Sequence, residues 1–141
     1  MMDKIYSHSY AELAKIGIEY HRDDNFCSLV ATCVATGKPF SKVFRAYKAQ
    51  GRTLRRGTRL SVQSCILKGY GKKMTQMFKM LGTYRTLTAV ANSCHTWGKG
   101  VYWVYTNDHV AAVRDGVLED WSAIRKSKKH ITLIYKIEDE D

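Results

Sequence analysis

Between Asn25 and Asn107 the chain contains no aspartate and no glutamate, although that span carries fourteen lysines and arginines. All thirteen acids lie elsewhere, in groups from Asp3 to Asp24, Asp108 to Asp120 and Glu138 to Asp141. Segregation of this kind has two readings: a solvated basic face, or attraction to a polyanion such as nucleic acid or an acidic protein surface. The cations Arg52, Arg55, Arg56 and Arg59, with Lys72 and Lys73 beyond them, form the expected partner surface. No recognised nucleic-acid motif accompanies them, so charge alone predicts only weak, non-specific, salt-sensitive binding to nucleic acid.

Other absences narrow the class. No apolar run approaches the length needed to span a bilayer. The first residues, Met1-Met2-Asp3-Lys4-Ile5-Tyr6-Ser7-His8, lack the apolar core of a signal peptide, so a cytoplasmic protein without membrane contact is expected. No C-x-x-C pair occurs among Cys27, Cys33, Cys65 and Cys94, which excludes the common zinc spacings, and the expected compartment favours free thiols. No metal or cofactor is expected. Internal repeats, linkers and low-complexity segments are also missing. What remains is 141 residues with 45% hydrophobic content, nine tyrosines and three tryptophans. That is enough for one folded domain with a real core.

Periodicity orders the elements. Ser9-Tyr10-Ala11-Glu12 is a capping box ahead of a helix over residues 10–18, and residues 21–25 read as a polar loop. A second helix starts at Asp24 or Asn25, carries a stripe of Phe26, Leu29, Val30, Cys33 and Val34, and ends at Gly37. Pro39 suits the first position of a third helix, with Phe40, Val43, Phe44 and Tyr47 on one face and Gly51 at its close. Residues 59–67 are again helical in pattern, residues 73–81 fit helix or strand, and residues 86–93 predict a short helix. Beyond Gly98 and Gly100 the period changes to strand, in Val101 to Tyr105 and again from His130 to Ile137. The acidic end, residues 138–141, is expected to fray. Helices first and an antiparallel sheet second make an α+β domain.

The chemistry gathers around the stretch from Asn107 to Trp121. Asp115-Gly116, flanked by Val110 to Val113 and Val117-Leu118, is a strong hairpin signal. A two-residue turn there sets Arg114 opposite Val117 and Ala111 opposite Asp120. One step further on the same face, His109 falls opposite Ser122 and diagonal to Asp120, within reach of its carboxylate. Glu119 falls on the other face. Cys27, at about the second residue of its helix, is the matching nucleophile, because the unpaired N–H groups and dipole of a helix start favour a thiolate. Its backbone N–H is also an oxyanion donor. Cys33, Cys65 and Cys94 read as small buried core residues. His8, His21, His95 and His130 have no comparable companion acid.

The run Asp24-Asn25-Phe26-Cys27, a distant His109 opening a strand and Asp120 beyond a turn resemble the papain-like cysteine peptidase fold. With Ala35-Thr36-Gly37-Lys38-Pro39-Phe40, Gly51-Arg52, Arg56-Gly57-Thr58 and His109-Val110-Ala111-Ala112-Val113-Arg114-Asp115-Gly116, residues 20–125 look like small phage-encoded proteins of that fold. The resemblance implies a cysteine hydrolase acting on a host protein in the host cytoplasm, with Cys27 as nucleophile, His109 as base and Asp120 as orienting acid. Papain-like proteins usually carry an oxyanion-hole glutamine shortly before the cysteine, and residues 1–26 contain none. Asn25 takes that role in the resemblance, with His21 the alternative. The competing readings are an inactive papain-like binder that blocks a host protein and a basic nucleic-acid-binding protein.

Overall fold

A computed structural model describes residues 27–51, 60–106, 110–119 and 130–140. The helix expected over residues 10–18 lies outside the described residues, as do Asn25, Arg52, Arg55, Arg56, Arg59, His109 and Asp120. Helices α1 (Cys27–Thr36), α2 (Phe40–Ala49) and α3 (Leu60–Gly69) come first. Strand β1 (Lys72–Gln76), the short helices α4 (Phe78–Thr83) and α5 (Leu87–Ser93), and a 3₁₀ turn over Cys94–Thr96 follow. Strands β2 (Val101–Tyr105), β3 (Val110–Arg114), β4 (Val117–Glu119) and β5 (Leu133–Asp139) complete the order. The α+β class is therefore observed. Among the described residues no helix is long and apolar enough to cross a membrane.

The five strands form one antiparallel sheet in the order β1-β5-β2-β3-β4. Strand alternation divides its side chains between two cores. Val110, Ala112, Trp103, Tyr105 and Ile137 pack against α1, α2 and α3. Tyr102, Val104, Ala111, Val113 and Ile134 pack against Leu87, Val90 and Cys94 of the short-helix layer. The sheet is thus covered on both faces, which explains why β2 and β3 are nearly continuous in apolar residues.

Helix α1 is the most enclosed element: every residue from Ser28 to Ala35 is buried. The sequence predicts one apolar stripe, and the structure buries the whole circumference. Its polar residues fit because they turn their hydroxyls inward. Thr32 donates to the Ser28 carbonyl at 2.7 Å and shares a 2.7 Å hydrogen bond with the Tyr47 hydroxyl, while Thr36 donates to the Thr32 carbonyl. Gly37, at φ +74°, ends the helix with its N–H on the Cys33 carbonyl. Pro39 is the N-cap of α2, one place before the position its sequence suggested.

The hairpin register is the one that Asp115-Gly116 predicts: Arg114 pairs with Val117, Val113 with Leu118 and Ala112 with Glu119. The turn is held from outside. Asp115 donates its N–H to the Gly100 carbonyl and accepts the Gly100 N–H on Oδ1, and the Cys94 thiol donates to the Gly116 carbonyl.

Four expectations need correcting. Residues 73–81 split into β1 and α4, because β1 alternates half-buried and exposed at the sheet edge and lacks a fully apolar face. His130 makes only an isolated bridge to Thr86, and β5 starts at Leu133. Cys65 is exposed, since α3 turns Gln63, Ile66 and Leu67 inward instead. The acidic end does not fray at 138: Glu138 and Asp139 belong to β5 and pair with Lys73 and Lys72. Lys72 forms a salt bridge with Asp139, and Thr75 donates to Glu138. Lys72 of the expected basic surface thus sits beside a carboxylate of its own sheet.

Two outcomes are expected. A Cβ at Gly116 would stand 3.1 Å from the His95 Cα at a φ of +83°, so Gly116→Ala is disfavoured by both contact and conformation. It should cost about 1–3 kcal/mol and lower the melting temperature by roughly 2–4 °C per kcal/mol. The second concerns pH. The hydrogen bond and charge of Lys72 hold the Asp139 carboxyl below its ordinary value of 3.8. A carboxyl lowered by folding contributes stability above its unfolded value and loses it as pH falls through the folded one. Protection against amide exchange at the β1–β5 end, measured relative to the unstructured rate at each pH, should therefore fall below pH 3.8, and Lys72→Gln should remove that dependence.

Candidate functional site

Cys27 opens α1, where the first backbone N–H groups of a helix have no intrahelical acceptor. The direction of α1 fixes where this end lies. Its C-terminal Ala35 lines a cleft of about 420 Å³ together with Gly100, Val101 and Arg114, at the end of β3. One turn earlier, the Ala31 carbonyl accepts the Trp103 indole N–H at 3.2 Å, and Trp103 pairs with Ala112. Four helical residues rise about 6 Å, and two strand residues about 7 Å. Helix α1 and β3 thus run in the same direction at nearly the same pace. Continued at that pace, a further turn back along α1 to Cys27 corresponds to the start of β3 at Val110, the residue that follows His109.

Tyr105 pairs with Val110 at this same end of the sheet. Its ring makes edge contacts with Trp103 and Tyr135, and its hydroxyl donates to Gln63 Oε1. Gln63 is 4% exposed, so α3 delivers a buried side-chain amide to the end of the core where Cys27 begins. The sequence reading sought a glutamine only before the cysteine and missed this one. Its signal, a lone Gln within an apolar helical pattern, acquires meaning only through Tyr105, 42 residues away.

The predicted site residues divide as follows. Cys27 stands at a helix start, and its side chain, like the whole of Asn25, His109 and Asp120, lies outside the described residues. The described pairing includes Ala112 with Glu119. The sequence argument sets His109 and Asp120 on the face of Ala111. In the sheet that face packs toward Leu87 and Val90, whereas Val110 and Ala112 pack toward α1. Of the predicted basic surface, Lys72 and Lys73 are described and lie beside Asp139 and Glu138. Among the described residues no group of three His, Cys, Asp or Glu side chains is placed to hold a metal ion.

The other thiols differ from one another. Burial pushes the Cys33 thiol far up, against a smaller opposing effect of a backbone hydrogen bond. Burial likewise raises Cys94. Both are held as neutral core groups, while Cys65 faces solvent.

Tyr105→Phe tests the polar contact at this end of the core. It removes the hydroxyl that Gln63 Oε1 accepts and should cost about 1–2 kcal/mol. The urea midpoint should fall with an unchanged m value, because the surface exposed on unfolding is the same.

No family model matches the chain, nor does any curated protein or solved structure.

Proposed function

We propose that the chain is a papain-like cysteine hydrolase, a phage accessory protein that cleaves a peptide or isopeptide bond of a host protein in the host cytoplasm. The observation that supports it best is the position of Cys27: a cysteine at the start of the enclosed helix α1, level with the strand that follows His109. In this reading the helix start favours the Cys27 thiolate, and His109 pairs with it as imidazolium. The thiolate attacks the substrate carbonyl carbon, and the oxyanion takes the Cys27 N–H and a side-chain donor, Asn25. His109 hands its proton to the departing amine, leaving a thioester. Water then attacks the thioester, His109 removes its proton, and the acid leaves with Cys27 restored. Asp120 orients the imidazole throughout.

The reading carries a geometric requirement. His109 must meet α1 around the end of β3, because the face shared by Ala111 and Val113 belongs to the other core. Arg52, Arg55, Arg56 and Arg59 supply the basic surface for an acidic substrate protein. A non-catalytic binder on the same fold is the second reading, favoured by the lack of a glutamine before Cys27.

Alkylation separates the two without a known substrate. In a Cys65→Ser background, brief iodoacetamide labelling followed by mass spectrometry should modify Cys27 first. The Cys27 rate should change less than about threefold between pH 8 and pH 6, whereas an ordinary thiol with a pKa of ~8.5 slows close to tenfold per unit. His109→Ala should restore the steep dependence, and Asp120→Asn should do so only in part. Labelling of Cys33 or Cys94 ahead of Cys27, or a steep profile in the unmodified site, would remove the hydrolase reading and leave the binder.

A further inference from the structure

On the sheet face opposite α1, a groove of about 430 Å³ runs between α4 and the segment leading into β5. Its apolar lining is Phe78, Leu81 and Ile131, and its rim carries Arg85 and His130. Phe78 is 71% exposed, the more open of the two exposed large hydrophobic residues among those described. Helix α4 has no fully buried residue, so Phe78 is not exposed as the by-product of a deeply buried helix face.

The groove is preformed. At one end the Met77 N–H donates to the Ile134 carbonyl at 2.8 Å, and at the other the Ile131 N–H donates to the Arg85 carbonyl at 2.8 Å. The Thr86–His130 bridge adds a second tie beside it. Backbone pairing at both ends holds the walls at a fixed separation, which lowers the ordering cost of filling it.

Its charge selects an occupant. The walls come from two stretches with no acid at all, residues 25–107 and 121–137. No ion pair among the described residues engages Arg85 or His130, and both are exposed. Lys79 lies on α4 as a further cation of that helix. The acids of β5 that neutralise Lys72 stand at the far end of that strand from His130. Arginine is also one of the residue types enriched among interface hot spots.

We propose that this groove is a docking site for an acidic segment of a partner protein. One bulky apolar side chain of that segment packs on Phe78, Leu81 and Ile131, and its flanking carboxylates meet Arg85 and His130. The site is separate from Cys27 and does not depend on the hydrolase reading.

The test uses fluorescein-labelled peptides on the intact chain: Asp-Glu-Phe-Glu-Asp, its alanine-centred analogue Asp-Glu-Ala-Glu-Asp, and the basic analogue Lys-Arg-Phe-Arg-Lys. Anisotropy should show the first binding at least tenfold tighter than either analogue, with affinity falling as salt rises. Amide NMR shifts should move at Leu81, Gly82, Arg85 and Ile131. Phe78→Ser and Arg85→Glu change exposed side chains, so melting curves should stay close to the parent while each weakens the acidic peptide about tenfold or more. Equal binding by the two acidic peptides, or affinity unchanged by Phe78→Ser, would overturn the proposal in favour of plain charge attraction. Two further results would also overturn it. One is Phe78-dependent dimerisation in sedimentation, which would make a second copy the occupant. The other is Phe78-dependent binding to phosphatidylglycerol vesicles without peptide binding, which would make it a lipid surface.

Discussion

The enclosure of α1 is the constraint on which the other elements depend. A helix buried on every side needs partners around its whole circumference, and the chain provides them from three directions: β3 below, α2 and α3 beside and above. The Thr32 and Thr36 hydroxyls donate to carbonyls of the same helix, and Thr32 also meets the Tyr47 hydroxyl, which offsets the cost of burying them. The Trp103 indole on the Ala31 carbonyl then fixes how far the helix slides along the sheet. A sliding helix would carry its first residue past the strand end, so the same packing that stabilises the fold sets the position of Cys27 backbone relative to Val110.

Local signals that act over a few residues were legible in the sequence. Asp115-Gly116 specified the hairpin and its register because the turn chemistry and strand period agree there. Gly37 as helix stop followed from the same local logic. Strand β1 was ambiguous because Lys72-Lys73-Met74-Thr75-Gln76 owes its conformation to pairing with residues 59 to 67 positions later. The acidic end was misjudged for the same reason: Glu138 and Asp139 find their partners only in space.

Of the candidate site, the helix start at Cys27 was readable, since helix boundaries are marked by capping and turn residues. The face of the sheet toward which a strand residue points was not, because alternation gives two faces and no sequence rule says which meets α1. Burial of Gln63 was equally hidden. A polar residue in an apolar helical pattern is ordinary at the surface, and the Tyr105 hydroxyl across the core helps sustain its interior position.

The place of β5 in the sheet bears on synthesis. It is the last strand in the chain, yet it lies between β1 and β2 and pairs with both. Until residues 133–139 emerge, β1 has no partner strand, and β2, paired only with β3, presents an open apolar edge. Such edges are the surfaces by which nascent chains associate wrongly. The sheet therefore closes from its middle, and only when β5 enters between β1 and β2 are the described strands joined into one sheet.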